Sequence, residues 1–175
     1  MQNIYIRNLY APGFSLITLS FYKTNLSISY APWIGENEIG LHRYDTKNYV
    51  STTINDENVA ALYSLTQQIL NGTMKNPCQY VIQCNKQAVI LFEYDLEKTQ
   101  LNIEKNGEKI PFIFTVHKYK EKVNGKVVEK TIQTGLIVFA EVLHTYMSAV
   151  AADRQMNKQL TGPFENETPS FPEWM

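Results

Sequence analysis

Apolar and polar residues alternate through the first third of the chain, the period of half-buried strands. Asn3 to Tyr10 alternates loosely and stops at Pro12-Gly13. Phe14 to Tyr22 follows, dense in Leu16, Ile17, Leu19 and Phe21, and Lys23-Thr24-Asn25 reads as a hairpin turn. Leu26, Ile28 and Tyr30 then alternate with Ser27 and Ser29. Pro32 to Gly40 reads as a loop carrying Trp33, and extended structure resumes over Leu41 to Tyr44 and Tyr49 to Ile54. Here the period changes. Asn55 or Asp56 can cap a helix whose stripe is Val59, Leu62, Leu65, Thr66, Ile69 and Leu70, with Gly72 at its C-terminal end.

The second half repeats the plan. Tyr80 to Cys84, Ala88 to Tyr94, Leu101 to Lys105, Lys109 to Lys120 and Lys126 to Ile132 read as strands. Asn106-Gly107 and Asn124-Gly125 are hairpin signals between them. Thr134 caps a second helix, with Leu136, Phe139, Ala140, Leu143, Met147 and Val150 as its buried stripe, running to about Gln155. The expected class is α+β: two successive antiparallel sheet units, each followed by an amphipathic helix. The halves, residues 1–73 and 78–157, share a pattern rather than residue identity and are expected to form one compact domain over 1–160. Residues 161–175 carry three Pro and three Glu without Lys or Arg, and read as a flexible acidic tail.

Charge sharpens this division. The chain has 16 basic and 17 acidic residues, a net charge of -1, which argues against a polycation that coats duplex DNA by charge alone. The tail holds three of the acids and none of the bases, so the body carries a mild positive excess. Cys78 and Cys84 match neither a zinc knuckle nor a redox pair, and read as free thiols in a reducing compartment. His42, His117 and His144 add no ligand spacing, so neither metal nor cofactor is expected. The N-terminus has no signal-peptide pattern, and no uninterrupted apolar run reads as a membrane span. The expected setting is the cytoplasm, without membrane attachment.

A catalytic constellation is not legible. The eight glycines are isolated, with no phosphate-binding loop. Glu93 and Asp95 share a strand face, where a solvated edge is the simpler reading. His42-Arg43-Tyr44-Asp45 splits between two faces of an extended segment. No enzyme is expected.

Rings and sparse cations are the remaining signal. Aromatics make up 12% of the chain, led by eleven Tyr. Tyr keeps a polar tip, which suits a surface. Arg7, Lys23, Arg43 and Lys47 are interleaved with Tyr5, Tyr10, Tyr22, Tyr30, Trp33, Tyr44 and Tyr49. Bases stack on rings for about 1–3 kcal/mol each while a few cations follow the backbone, so this mixture suits a single-strand binder of low net charge. Lys118, Lys120 and Lys122 share one face of the last hairpin, with His117 and Tyr119 on the other. The same residues also fit sheet–helix packing by Tyr and lysines that guard a sheet edge.

The order of elements resembles the Whirly and positive-cofactor-four type of single-stranded DNA-binding proteins, including phage-encoded versions. The resemblance lies in the strands of 14–31, the helix beginning INDENVAALYSLTQQIL, the strands of 79–132 and the helix GLIVFAEVLHTYMSAV. It is one of plan over residues 1–155. The Lys-Gly-Lys-Ala run of plant Whirly proteins has no counterpart, so no binding residue is carried over. The resemblance implies non-sequence-specific single-stranded DNA binding in replication, recombination or repair. It also implies homo-oligomers formed through the helices and, for a phage protein, a bacterial host cytoplasm. The tail, with Phe171, Pro172, Glu173 and Trp174 near its end, is similar in composition to that of bacterial single-strand-binding proteins. It would recruit replication or repair partners. The alternative is a protein-interaction or virion-accessory module with no nucleic-acid role.

Overall fold

The computed structural model describes residues 4–22 and 24–166. The alternating first third builds a five-stranded antiparallel sheet. β1 (Tyr5–Ala11), β2 (Ser15–Tyr22) and β3 (Thr24–Glu36) form a meander, and β3 also pairs with β4 (His42–Tyr44) and β5 (Val50–Ile54). One face is buried through Leu9, Ile17, Leu19, Leu26, Ile28, Tyr30, Thr52 and Ile54. The other face carries hydroxyls in register: Ser20, Ser27 and Thr53 in one row, Thr18, Ser29 and Ser51 in the next. Pro32 and Trp33 lie within β3, not in a loop running to Gly40. Pro32 falls between Tyr30, the last partner of β5, and Trp33, the first partner of β4, a gap that tolerates proline's missing N–H.

α1 (Asp56–Leu70) starts at Asn55, whose side-chain oxygen accepts from the Asn58 N–H at 2.9 Å. Asp56 and Glu57 lie in its first turn, where the helix dipole favours acids. Asn71 and Gly72 end it, Gly72 with a left-handed φ of 80°.

β6 (Cys78–Gln83), β7 (Val89–Tyr94), β8 (Thr99–Lys105) and β9 (Glu108–Ile110) form the second sheet in chain order. The strand expected over Lys109 to Lys120 is broken. β9 ends at Ile110 before Pro111, which cannot continue the donor ladder. The chain then runs on beside β8, the Leu101 N–H donating to the Phe112 carbonyl at 2.9 Å and the Phe114 N–H to the Thr99 carbonyl at 3.0 Å, with both Phe side chains buried. β10 (His117–Val123) and β11 (Lys126–Ile132) form a separate two-stranded ribbon closed by Asn124-Gly125, both at positive φ.

α2 (Thr134–Asn166) packs along α1 and β1 through Leu136, Phe139, Val142, Leu143, Tyr146 and Val150. It continues past Gln155 and takes in Thr161–Asn166, where a flexible tail was expected. The helix formers of Ala151 to Leu160 carry it forward. The helix includes Pro163, and composition alone had placed the boundary before it. Phe171, Pro172, Glu173 and Trp174 lie outside the described residues. No apolar run in the sequence reads as a membrane span, yet the helical stretch Thr134–Asp153 is long and apolar enough to cross a membrane by length and composition. The buried stripe of a core helix has the same composition.

Both sheets and both helices contribute to one apolar cluster. Polar contacts join the sheets: Tyr30 Oη donates to the Leu101 carbonyl at 2.7 Å, Ser15 Oγ to the Pro111 carbonyl at 2.6 Å, and Lys105 Nζ to the Ser51 carbonyl at 2.9 Å. The fold is therefore α+β, mostly antiparallel, with two helices.

Candidate nucleic-acid interface

Strand alternation decides which aromatics can meet. In β1, Leu9 and Ala11 turn inward, so Tyr10 turns outward. Its neighbours across the ladder are Leu16 and then Ala31. Trp33 shares the parity of Ala31 and pairs with Tyr44. Tyr44 comes within 5.8 Å of Tyr10, centroid to centroid. Tyr49 lines a shallow depression of about 260 Å³ on this outer face, with Leu16, Thr18, Ser29, Ala31 and Thr46. Four rings from separate parts of the chain thus gather at one end of the face.

Local bonds hold the loops that present them. The Asp45 N–H donates to the Pro32 carbonyl at 2.8 Å, tying the end of β4 to β3. The Asn48 amide donates to Asp45 Oδ2 at 2.9 Å, and this contact holds the Asp45 carboxyl below its ordinary range. Trp33 Nε1 donates to His42 Nδ1 at 3.1 Å, which requires Nδ1 to be unprotonated. Burial, and then the nearby Tyr10 phenol, raises the Tyr44 pKa. Tyr44 therefore stays neutral at neutral pH and offers its ring face and hydroxyl tip.

The cations do not gather with the rings as the interleaved sequence suggests. Arg7 has inward parity at the sheet edge and pairs with Glu141 of α2 at 3.3 Å. Arg43 alternates away from Tyr44 and lines a depression with Glu36 and Glu38. Lys47 is exposed on the loop between Tyr44 and Tyr49, and so stays near the rings. Lys23 lies outside the described residues. Tyr30 is fully buried, so it is no stacking platform; burial pushes its pKa well above the usual phenol value. Tyr22 is exposed at the far end of β2, six residues from Leu16, roughly 20 Å at the rise of a strand.

The other cations lie on the ribbon. All fourteen residues of β10 and β11 are exposed. Lys118, Lys120 and Lys122 share a face with Thr131, Glu129 and Val127, their partners across the ladder. The opposite face holds His117, Tyr119, Glu121 and Val123 beside Ile132, Lys130, Val128 and Lys126. Lys130 pairs with Glu121 at 3.2 Å.

Of the residues singled out from the sequence, Trp33, Tyr44 and Tyr49 come together with Tyr10, Lys47 lies on the adjoining loop, and the three ribbon lysines lie on a separate element. Sequence reading left out the hydroxyl floor of Thr18, Ser20, Ser27, Ser29, Ser51 and Thr53. The signal was present, because Ser and Thr occupy the positions opposite the apolar ones in β2, β3 and β5.

Compared with protein-family models, curated proteins and solved structures, the chain matches none.

Proposed function

We propose that the chain is a non-enzymatic, non-sequence-specific single-stranded DNA-binding protein serving replication, recombination or repair. One observation carries this reading: Tyr10, Trp33, Tyr44 and Tyr49 gather on the outer face of the first sheet, which no helix among the described residues covers. Unpaired bases present π-faces that such rings can stack against, whatever the sequence. The hydroxyls beside them can bond to phosphate or base edges. Lys47 and the ribbon lysines supply the charge that follows the backbone. The Whirly-type plan, with a sheet and then a helix in each half, belongs to the same proposal, as does partner recruitment by the C-terminal residues.

Fluorescence anisotropy with labelled single- and double-stranded oligonucleotides, at two salt concentrations, tests it. Single strands should bind at micromolar concentrations or tighter at low salt, and duplex more weakly. Tyr49→Ala, or Tyr10→Ala with Tyr44→Ala, should weaken binding roughly five- to 150-fold per stacked ring, the equivalent of about 1–3 kcal/mol. Replacing Lys118, Lys120 and Lys122 by Ala should lower the salt slope by about two, since each single-strand phosphate contact contributes roughly 0.7. Lack of single-strand binding by the full chain at low salt would overturn the proposal.

A further inference from the structure

The ribbon's two faces ask for different surroundings. One is basic, through Lys118, Lys120 and Lys122. The other carries an apolar set, Tyr119, Val123, Val128 and Ile132, each about 40% exposed, interspersed with His117, Lys126 and the Glu121–Lys130 ion pair. Among the described residues, no other element packs extensively against the ribbon. An isolated two-stranded hairpin is marginally stable in water and gains stability by laying an apolar face on another surface.

A matching surface exists elsewhere on the molecule. The outer face of the second sheet bears Val81, Val89 and Leu91 beside Pro111, around an apolar depression of about 450 Å³. Val81 is 53% exposed. Glu93 and Glu104 lie on the same face by register. On the ribbon, Lys126 and Lys130 share the apolar face. The charges also match at larger scale. Residues 117–132 contain five Lys and two Glu, a net of +3, against -1 for the whole chain, so the rest carries -4.

We propose that the apolar face of the β10–β11 ribbon docks on the outer face of the β6–β9 sheet of a second copy of this chain. Two copies can exchange ribbons about a twofold axis, each supplying one arm and one groove. The lysine face of each arm then points away from the joint. This interface differs from helix-mediated assembly and does not depend on nucleic-acid binding.

Molar mass by light scattering, on the full chain without DNA, tests it. The chain should be a dimer or larger at tens of micromolar. Two neutral substitutions, Val123→Gln with Val128→Gln, should dissociate it while leaving every lysine in place. Val81→Glu should do the same from the groove side. All three positions are exposed, so circular dichroism and melting temperature should stay close to those of the parent. Mixing the arm variant with the groove variant restores one intact joint and should produce a heterodimer. A monomeric parent chain would overturn the proposal. So would variants that fold and keep the parental mass, or a mixture that stays monomeric. Loss of DNA binding with the dimer intact would count against the proposed function alone.

Discussion

Tyr30 carries two sequence signals that disagree, and the period prevails. It lies near cations in the chain, which suggested a stacking ring. It also shares the parity of Leu26 and Ile28, which places it inward, and the structure buries it with its hydroxyl bonded to Leu101. Arg7 repeats the lesson, since its parity points it at Glu141 rather than at Tyr10. Face assignment was legible from alternation, whereas proximity along a strand misled, because adjacent residues point apart. Tyr30→Phe should keep the fold but cost about 1–3 kcal/mol, because the Leu101 carbonyl loses its donor in a dry interior. The burial of Tyr30 also sets a pH dependence. Its folded pKa is raised by burial above the ordinary phenol value of 10.0, so the unfolded chain releases the proton first. The stabilisation is complete below that value and is lost as pH rises towards the folded pKa. Cys84, raised from 9.0 by burial, acts in the same direction. Urea midpoints should hold from neutral pH to about 9 and fall beyond 10, with a shallower fall for Tyr30→Phe. A midpoint that stays level at higher pH would contradict this account.

Element identity follows from period and punctuation, and both Asn-Gly turns, the α1 cap and the α2 stripe were legible for that reason. Two boundaries were not. Pro32 reads as a breaker, yet it lies in the gap between the β5 ladder, which ends at Tyr30, and the β4 ladder, which begins at Trp33, so its missing donor costs little. Pro111 does break a strand, because β9 ends just before it, and what lies beyond becomes a detached ribbon. Alternation of Lys with Tyr and Val reads as a half-buried strand pair, whereas the structure leaves all fourteen ribbon residues exposed. The ribbon's root shows a further feature that composition hides. Gly135 reads as an isolated turn glycine, but it packs against the base of the arm. A Cβ there would lie 2.8 Å from the Thr115 backbone nitrogen and 2.9 Å from its hydroxyl. Backbone cannot yield as a flexible side chain can, so Gly135→Ala should destabilise the protein by about 1–3 kcal/mol despite its better helix propensity. Thermal melts would show the sign. Asn55→Ala, which removes the α1 cap, should cost about 1 kcal/mol and serves as a reference of known mechanism.

At the scale of the whole molecule, the sequence suggests two similar halves in one compact domain but not the contacts that join them, because those contacts are long-range and unpatterned. The structure joins them at many points. Tyr146 of α2 donates to Asp56 at the start of α1 and receives the Asn25 N–H from the start of β3. Thr52 of β5 donates to Asn85 at 3.1 Å, linking the first sheet to the turn between β6 and β7. With one apolar cluster spanning both halves, neither half keeps its buried face if the other unfolds. The rings of the outer face therefore sit on a scaffold that is rigid across the halves, while the ribbon hangs from it by its root. Two stabilities should result. Near- and far-ultraviolet circular dichroism should report one coincident unfolding transition, as expected of a cooperative domain. Hydrogen exchange should divide differently: amides of β2, β3, β7 and β8 should open only with global unfolding, and those of β10 and β11 orders of magnitude faster. Under conditions that keep the chain dimeric, docking would slow exchange in the ribbon, and dilution should restore the fast rate. Two separate unfolding transitions would show instead that the halves hold their cores independently.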